Sequence, residues 1–197
     1  RDRLLAHQEH RAHTRFRARA ELGLPTLARY IGYFGSIARS RGISTLFDAW
    51  QRIREDMPEV RLLLGGRLDS NIQLPAGADY LGYLPDSIVP TAIACADVVA
   101  VVNKASAFGD YSYPIKLYEA MASGIPTVAS ATASTRWILR NHPQMLVEPE
   151  NVDALATSLR QALTADFPAL PSSPDWTSLG RELAGELEMV AAPARAQ

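Results

Sequence analysis

Asp97-Val98-Val99-Ala100-Val101-Val102 is apolar at every position after its first. Such a run offers water no polar face, so it predicts a strand covered on both sides, as in a parallel sheet. The pattern recurs outward from this stretch. Tyr30 to Phe34 is an apolar run closed by Gly35, and Val60 to Leu64 is one closed by Gly65-Gly66. Pro126 to Ala129 follows the break at Ser123-Gly124, and two shorter strands are predicted at Tyr80-Leu81 and at Met145 to Val147. Helical patterns separate them. Ile43 to Ile53 carries Leu46, Phe47, Ala49, Trp50 and Ile53 at helical spacing. Pro90 to Cys95, Tyr118 to Ala122 and Thr135 to Arg140 read as shorter helices. Val152 to Leu163 is amphipathic, with Ala154, Leu155, Leu159 and Leu163 as its stripe and Asn151 as its N-cap. Strands alternating with helices predict an α/β fold: an open, doubly wound parallel sheet, Rossmann-like. Ligands of such sheets sit beyond the carboxyl ends of the strands.

The flanks read differently. Residues 1–22 form a basic helical linker or extension bearing Arg1, Arg3, Arg11, Arg15, Arg17 and Arg19. Gly23 and Pro25 stop it. His7, His10 and His13 fall on neighbouring turns, but no acid or thiol joins them, so a solvated helix is the expectation and no metal site is assigned. Residues 23–166 hold the sheet. Residues 167–197 comprise a proline-rich loop from Phe167 to Asp175, a helix from Trp176 to Val190 and a tail from Ala191 expected to lack order.

Of the 197 residues, 47% are hydrophobic and 21% charged, which is a globular rather than a disordered balance. The net charge of -1 gives no global basic field, so nucleic acid is not the expected partner. No apolar run is long enough to cross a bilayer. The basic first segment leaves peripheral contact at the inner face of a membrane as an open reading. Cys95 is the single cysteine, expected to be a buried small hydrophobe, and the reducing cytoplasm is the expected compartment. The chain does not begin with methionine, which reads as a piece of something longer.

Three predicted strand ends carry chemistry. The first is Gly35-Ser36-Ile37-Ala38-Arg39-Ser40-Arg41-Gly42. Glycine lets a ligand approach the backbone, the next helix aims its amides into the same space, and the two arginines offer forked donors for phosphate. An ordinary strand-to-helix loop with solvated arginines fits these residues equally well. The second is Tyr80-Leu81-Gly82-Tyr83-Leu84-Pro85, where an aromatic loop could border a nucleobase or simply be a tight turn. The third runs from Tyr113 to Ser130. Lys116 and Glu119 are three residues apart there, on one helix face near its start, with Met121, Ala122 and Ile125 expected to face the sheet. Alone, this pair also fits an exposed ion pair.

This third stretch resembles the retaining GT-B glycosyltransferases, especially glycosyltransferase family 4. Glu119-Ala120-Met121-Ala122-Ser123-Gly124-Ile125-Pro126-Thr127-Val128-Ala129 is similar to the second half of their motif, and Pro114-Ile115-Lys116-Leu117-Tyr118-Glu119 to a Pro-x-Lys-x-x-Glu form of it. The Gly35 loop resembles the family's Gly-x-x-x-x-x-Lys-Gly, with Arg41 at the lysine. Leu63-Leu64-Gly65-Gly66, Tyr80 to Leu84, Ala96-Asp97-Val98 and Val147-Glu148-Pro149 follow in family order. The resemblance covers about Glu21 to Ala165. It implies that residues 23–166 are the C-terminal, nucleotide-sugar-binding half of a GT-B fold, and that the partner is a nucleoside-diphosphate sugar. Glu119 would bind the ribose hydroxyls, and Arg41 the diphosphate beside Gly35 and Ser36. Tyr83 and Leu84 would border the base. Arg39, Gly65, Lys116 and Leu117 complete the implied binding set, and Arg41, Lys116 and Glu119 the catalytic one. Catalysis would rest on stabilising the leaving group without a metal or other cofactor.

Two positions depart from the pattern. Tyr111 stands where the family has its first glutamate, with Asp110 beside it, and Ser36 stands where it has an arginine, with Arg39 nearby. Three readings follow. The chain is the donor half of a transferase whose acceptor is held by an N-terminal domain, a donor-binding subunit serving a partner chain, or a non-catalytic nucleotide or carbohydrate module. The isolated chain is expected to bind UDP or GDP weakly and to transfer no sugar. A hydrolase or dehydrogenase is disfavoured, because neither Gly-x-Ser-x-Gly nor Gly-x-Gly-x-x-Gly occurs.

Overall fold

The computed structural model describes residues 13–112, 114–164, 167 and 176–191. Six strands form one parallel sheet: β1 (Arg29–Phe34), β2 (Val60–Gly65), β3 (Ala78–Tyr80), β4 (Val98–Val101), β5 (Thr127–Ser130) and β6 (Leu146–Val147). Their spatial order is β3-β2-β1-β4-β5-β6. The order reverses between β1 and β4, which pair through Ile31 with Val98 and Gly32 with Val99. That switch point is where a doubly wound sheet opens a crevice.

The helices are α1 (13–21), α2 (Ile43–Asp56), α3 (Val89–Ala94), α4 (Ala107–Tyr111), α5 (Ile115–Ala122), α6 (Ala133–Ile138), α7 (Val152–Ala162) and α8 (Trp176–Ala191). Period-two alternation along the strands builds two cores. Ile31, Tyr33, Leu62, Leu64, Val98 and Ala100 pack with α2 and α7 on one face. Tyr30, Phe34, Leu63, Val99 and Val101 pack with α3 and α5 on the other. Both faces are therefore apolar, as the run from Val98 to Val102 demands. Asn151 caps α7 by accepting from the Ala154 N–H at 3.0 Å. Cys95 is buried, and burial pushes its thiol up to about 11.

Three expectations change in detail. Met121 and Ile125 are buried as expected, but Ala122 is exposed rather than facing the sheet, and Leu117 and Ala120 are buried in its place. Helical periodicity puts 117, 120 and 121 on one stripe and leaves 122 off it. Helix α4 is an added element, inserted between β4 and α5. Ala191 closes α8 rather than opening the tail. His7, His10, most of the proline-rich loop and residues 192–197 lie outside the described residues.

Helix α1 docks through a buried arginine. Arg19 is 3% exposed. It donates to the carbonyls of Cys95, Thr26 and Ala28 at 2.9, 3.0 and 2.6 Å, and to Asp97 Oδ2 at 2.7 Å. The same Asp97 oxygen accepts from the Tyr30 N–H at 2.7 Å, tying β1 to the head of β4 at the edge away from the glycine loops. A guanidinium is buried cheaply only when its donors are met this fully. Asp97→Ala leaves that charge without its counter-ion and is expected to cost about 3–5 kcal/mol in urea unfolding. Asp97→Asn, which keeps an acceptor, should cost less.

Candidate functional site

The carboxyl edge of the sheet is assembled from glycines. The Gly35 N–H, just past β1, donates to Gly65 O at 2.7 Å. The Gly66 N–H, just past β2, donates to Gly82 O at 2.8 Å, and the Tyr80 hydroxyl donates to Gly66 O at 2.8 Å. Two backbone hydrogen bonds thus stitch three strand ends together, and the Tyr80 hydroxyl adds a third link. Gly66 has φ +128°, and a Cβ on it would lie 2.0 Å from Gly35 O. Gly35 has φ +148°, and a Cβ on it would lie 1.7 Å from Cε of Lys116. The stem of Lys116 therefore crosses directly over the end of β1.

Lys116 opens α5, and Arg41 ends a 3-10 turn, Arg39–Arg41, that leads through Gly42 into α2. Gly42 takes φ +75°, and a Cβ there would meet the Asn103 backbone at 3.1 Å. This close approach brings the start of α2 against the end of β4. Between these elements lies a cavity of about 220 Å³. Ser36, Arg41 and Lys116 line it, as do Tyr33, Asn103, Phe108 and Ser112. The Tyr33 hydroxyl donates to Ser36 O at 2.7 Å, fixing the loop, and burial pushes that phenol up to about 12.

The cavity's charges interact. Burial lowers the pKa of the Lys116 ammonium from its ordinary value, Glu119 opposes this, and Arg41 reinforces it. Burial raises the Glu119 carboxyl, Lys116 opposes this, and Asp86 reinforces it. Arg41, from the loop after β1, and Glu119, one turn along α5, thus both act on the Lys116 charge. Asp86 brings in the loop after β3.

The other candidates are placed as follows. Glu119 sits one turn beyond Lys116, away from the cavity lining, facing the Asp86 loop. Leu84 packs on Gly65, whose Cβ would lie 2.4 Å from Leu84 Cδ1, and Tyr83 is 75% exposed. Arg39 is exposed and outside the cavity lining. Leu117 is fully buried in the second core, and its N–H donates to Pro114 O at 2.9 Å, so it packs rather than presents a ligand group. Asp110 Oδ1 accepts from the Ala133 N–H at 3.1 Å and so caps α6, while Tyr111 is exposed. Asn103 and Phe108 were not anticipated. Asn103 directly follows Val102, so the carboxyl-end rule applied to the strongest strand would have found it. Phe108 lies on the unanticipated α4, whose only local signal is Ser106 capping the Gly109 N–H. Among the described residues no group of three or more His, Cys, Asp or Glu could hold a metal ion, and no helix is long and apolar enough to cross a membrane.

A six-stranded parallel sheet with this order, covered by helices on both faces, defines a Rossmann-like domain. Residues 28–165 match the model of the glycosyl transferases group 1 family, and the chain belongs to that family. The phosphatidyl-myo-inositol mannosyltransferase of Mycobacterium leprae is 34% identical over 73% of this chain and 40% of its own length. The chain therefore spans less than half of that relative. Anabaena Alr3699/HepE, solved in complex with UDP, superposes with a TM-score of 0.73 at 20% identity, covering 90% of this chain and 53% of that one. The C-terminal domain of LpcC, a group 1 family protein from Francisella tularensis, gives 0.60 at 21% identity, covering 75% of this chain and 80% of that one.

The two stacked glycines give a stability test. Gly66→Ala sets a methyl against backbone, and Gly35→Ala sets one against the flexible end of Lys116. Both carry strain of about 1–3 kcal/mol from the positive φ. Gly66→Ala should cost clearly more in urea unfolding. Adding Lys116→Ala should recover part of the Gly35→Ala loss and none of the Gly66→Ala loss.

Proposed function

We propose that the chain is the C-terminal, donor-binding domain of a retaining GT-B glycosyltransferase of family 4 type. It binds a nucleoside-diphosphate sugar for transfer to an acceptor held by an N-terminal domain or partner chain. The observation that carries this reading is the convergence of Arg41 and Lys116 on one cavity at the carboxyl edge of the sheet. Two cations brought together at a cavity repel one another until an anion of matching charge fills the space between them.

In this reading the diphosphate lies over Gly35 and Ser36, between Arg41 and Lys116, with the start of α2 behind it. Glu119 accepts the ribose hydroxyls, and Leu84 and Tyr83 border the base. When the bond from the sugar's anomeric carbon to the β-phosphate oxygen breaks, negative charge grows on that oxygen. Arg41 and Lys116 are already in place to meet it, so little reorganisation accompanies the step. Charge neutralisation is assigned to these side chains and not to a metal. In this reading the acceptor is a carbohydrate or lipid-linked component used in envelope biosynthesis, a class into which the phosphatidyl-myo-inositol of the Mycobacterium leprae relative's name would fall, and the compartment is the cytoplasm or the inner membrane face.

Calorimetric titration with UDP, GDP and their monophosphates tests the reading. A diphosphate should bind, weakly, without sugar transfer by the chain alone. Arg41→Ala and Glu119→Ala should each weaken it about 10-fold or more. Indifference of well-folded wild-type chain to every diphosphate would overturn the assignment.

The lowered Lys116 pKa adds a pH dependence. In the free protein the ammonium loses its proton below the ordinary lysine value of 10.5. A bound diphosphate raises that pKa again, so binding takes up a proton and weakens as pH rises through the free-state value. Titration in buffers of different ionisation enthalpy should show this uptake at alkaline pH, and Lys116→Met should abolish it.

A further inference from the structure

Phe108 is a large apolar side chain, 52% exposed, that belongs to neither hydrophobic core. Its ring lies under the guanidinium of Arg41, with Cζ 4.0 Å from the ring centroid. Among the described residues Arg41 has no ion pair and no side-chain hydrogen bond. The Phe108 ring face is therefore the directional contact the described residues give the guanidinium. The difference matters chemically. A carboxylate partner would neutralise the guanidinium and occupy its donors, whereas a ring face holds its plane and leaves all five N–H groups and the full charge available.

Helix α4 is itself held at both ends. Ser106 Oγ accepts from the Gly109 N–H at 3.1 Å, and Asp110 caps α6. Gly109 is pressed against the chain before it, since a Cβ there would lie 2.3 Å from Lys104 O. The ring is thus mounted on a short element anchored to the β4 and β5 ends of the sheet, while Arg41 comes from the β1 end. Stacking joins the two sides of the cavity.

We propose that Phe108 is a positioning residue for Arg41: it presents the guanidinium, unneutralised, to the diphosphate of the ligand. This rests on the donor-site reading above. It also gives a reason for arginine at position 41, since a lysine ammonium has no plane for the ring to hold.

The test uses Phe108→Leu, which keeps apolar bulk without a π face, and Phe108→Tyr, which keeps the ring. The probes are UDP, GDP and the matching nucleosides. Phe108→Leu should weaken the better diphosphate about 3- to 10-fold and leave nucleoside affinity unchanged, and Phe108→Tyr should bind as wild type does. In an Arg41→Lys background the Phe108→Leu effect should largely vanish. NMR of the ligand-free chain should show Arg41 side-chain resonances shifted by the ring current, and that shift should be lost in Phe108→Leu. A shift of similar size in both proteins, or diphosphate binding equal in wild type and Phe108→Leu, would overturn this inference alone. Absence of diphosphate binding by wild type would overturn the donor reading, and this inference with it.

Discussion

Two carbon atoms that are absent decide the shape of the site. A Cβ on Gly66 would run into the backbone of Gly35, and a Cβ on Gly35 would run into the stem of Lys116. Backbone of β2, backbone of β1 and the stem of a lysine from α5 form a stack in which the middle layer has no side chain. Everything at the carboxyl edge inherits that spacing. The Gly66 N–H reaches across to Gly82 beyond β3, and Lys116 can reach the cavity because nothing projects from Gly35 at the end of β1. At this edge the cost of glycine's conformational freedom is offset by the close approach it allows.

The opposite edge is built from charge. Arg19 and Asp97 tie α1, β1 and β4 together where the strands begin, through bonds that satisfy a nearly buried guanidinium. One edge of the sheet is therefore pinned by a fully partnered arginine, and the other presents Arg41, which has no acidic partner among the described residues. The contrast separates a structural guanidinium from one left available more sharply than sequence position can. Both stand in arginine-rich segments, and only their partners tell them apart.

Much of this was legible in the sequence. The apolar run after Asp97 fixed a two-sided sheet, and strand-closing glycines marked the edge where ligands bind. The convergence expected from motif resemblance was of Arg41 with Glu119 on one ligand; the structure lines the cavity with Arg41 and Lys116 and leaves Glu119, one turn further along α5, outside that lining. What stayed hidden had particular physical causes. Leu117 looked like a ligand neighbour beside Lys116, but one step along a helix turns a side chain through about 100° and into the core. The docking role of Arg19 was concealed because a buried arginine is the exception among arginines. Helix α4 was missed because Ser-Ala-Phe-Gly-Asp lacks a periodic stripe, and its stability comes from a cap and from contact with α6.

Phe108 and Asp110 show why a departure from a family pattern need not be a defect. The acidic group next to the altered position is engaged at α6, so it does not restore a carboxylate facing the cavity. The same short helix instead presents an aromatic face to Arg41. A carboxylate near the cavity would lower its net positive potential, and a ring does not. Under the proposed reading, the local sequence suits an anionic ligand better than contact with a neutral sugar hydroxyl at this point. If the proposed donor reading holds, diphosphate affinity and sugar discrimination depend on different groups, and a change at α4 can alter one without the other.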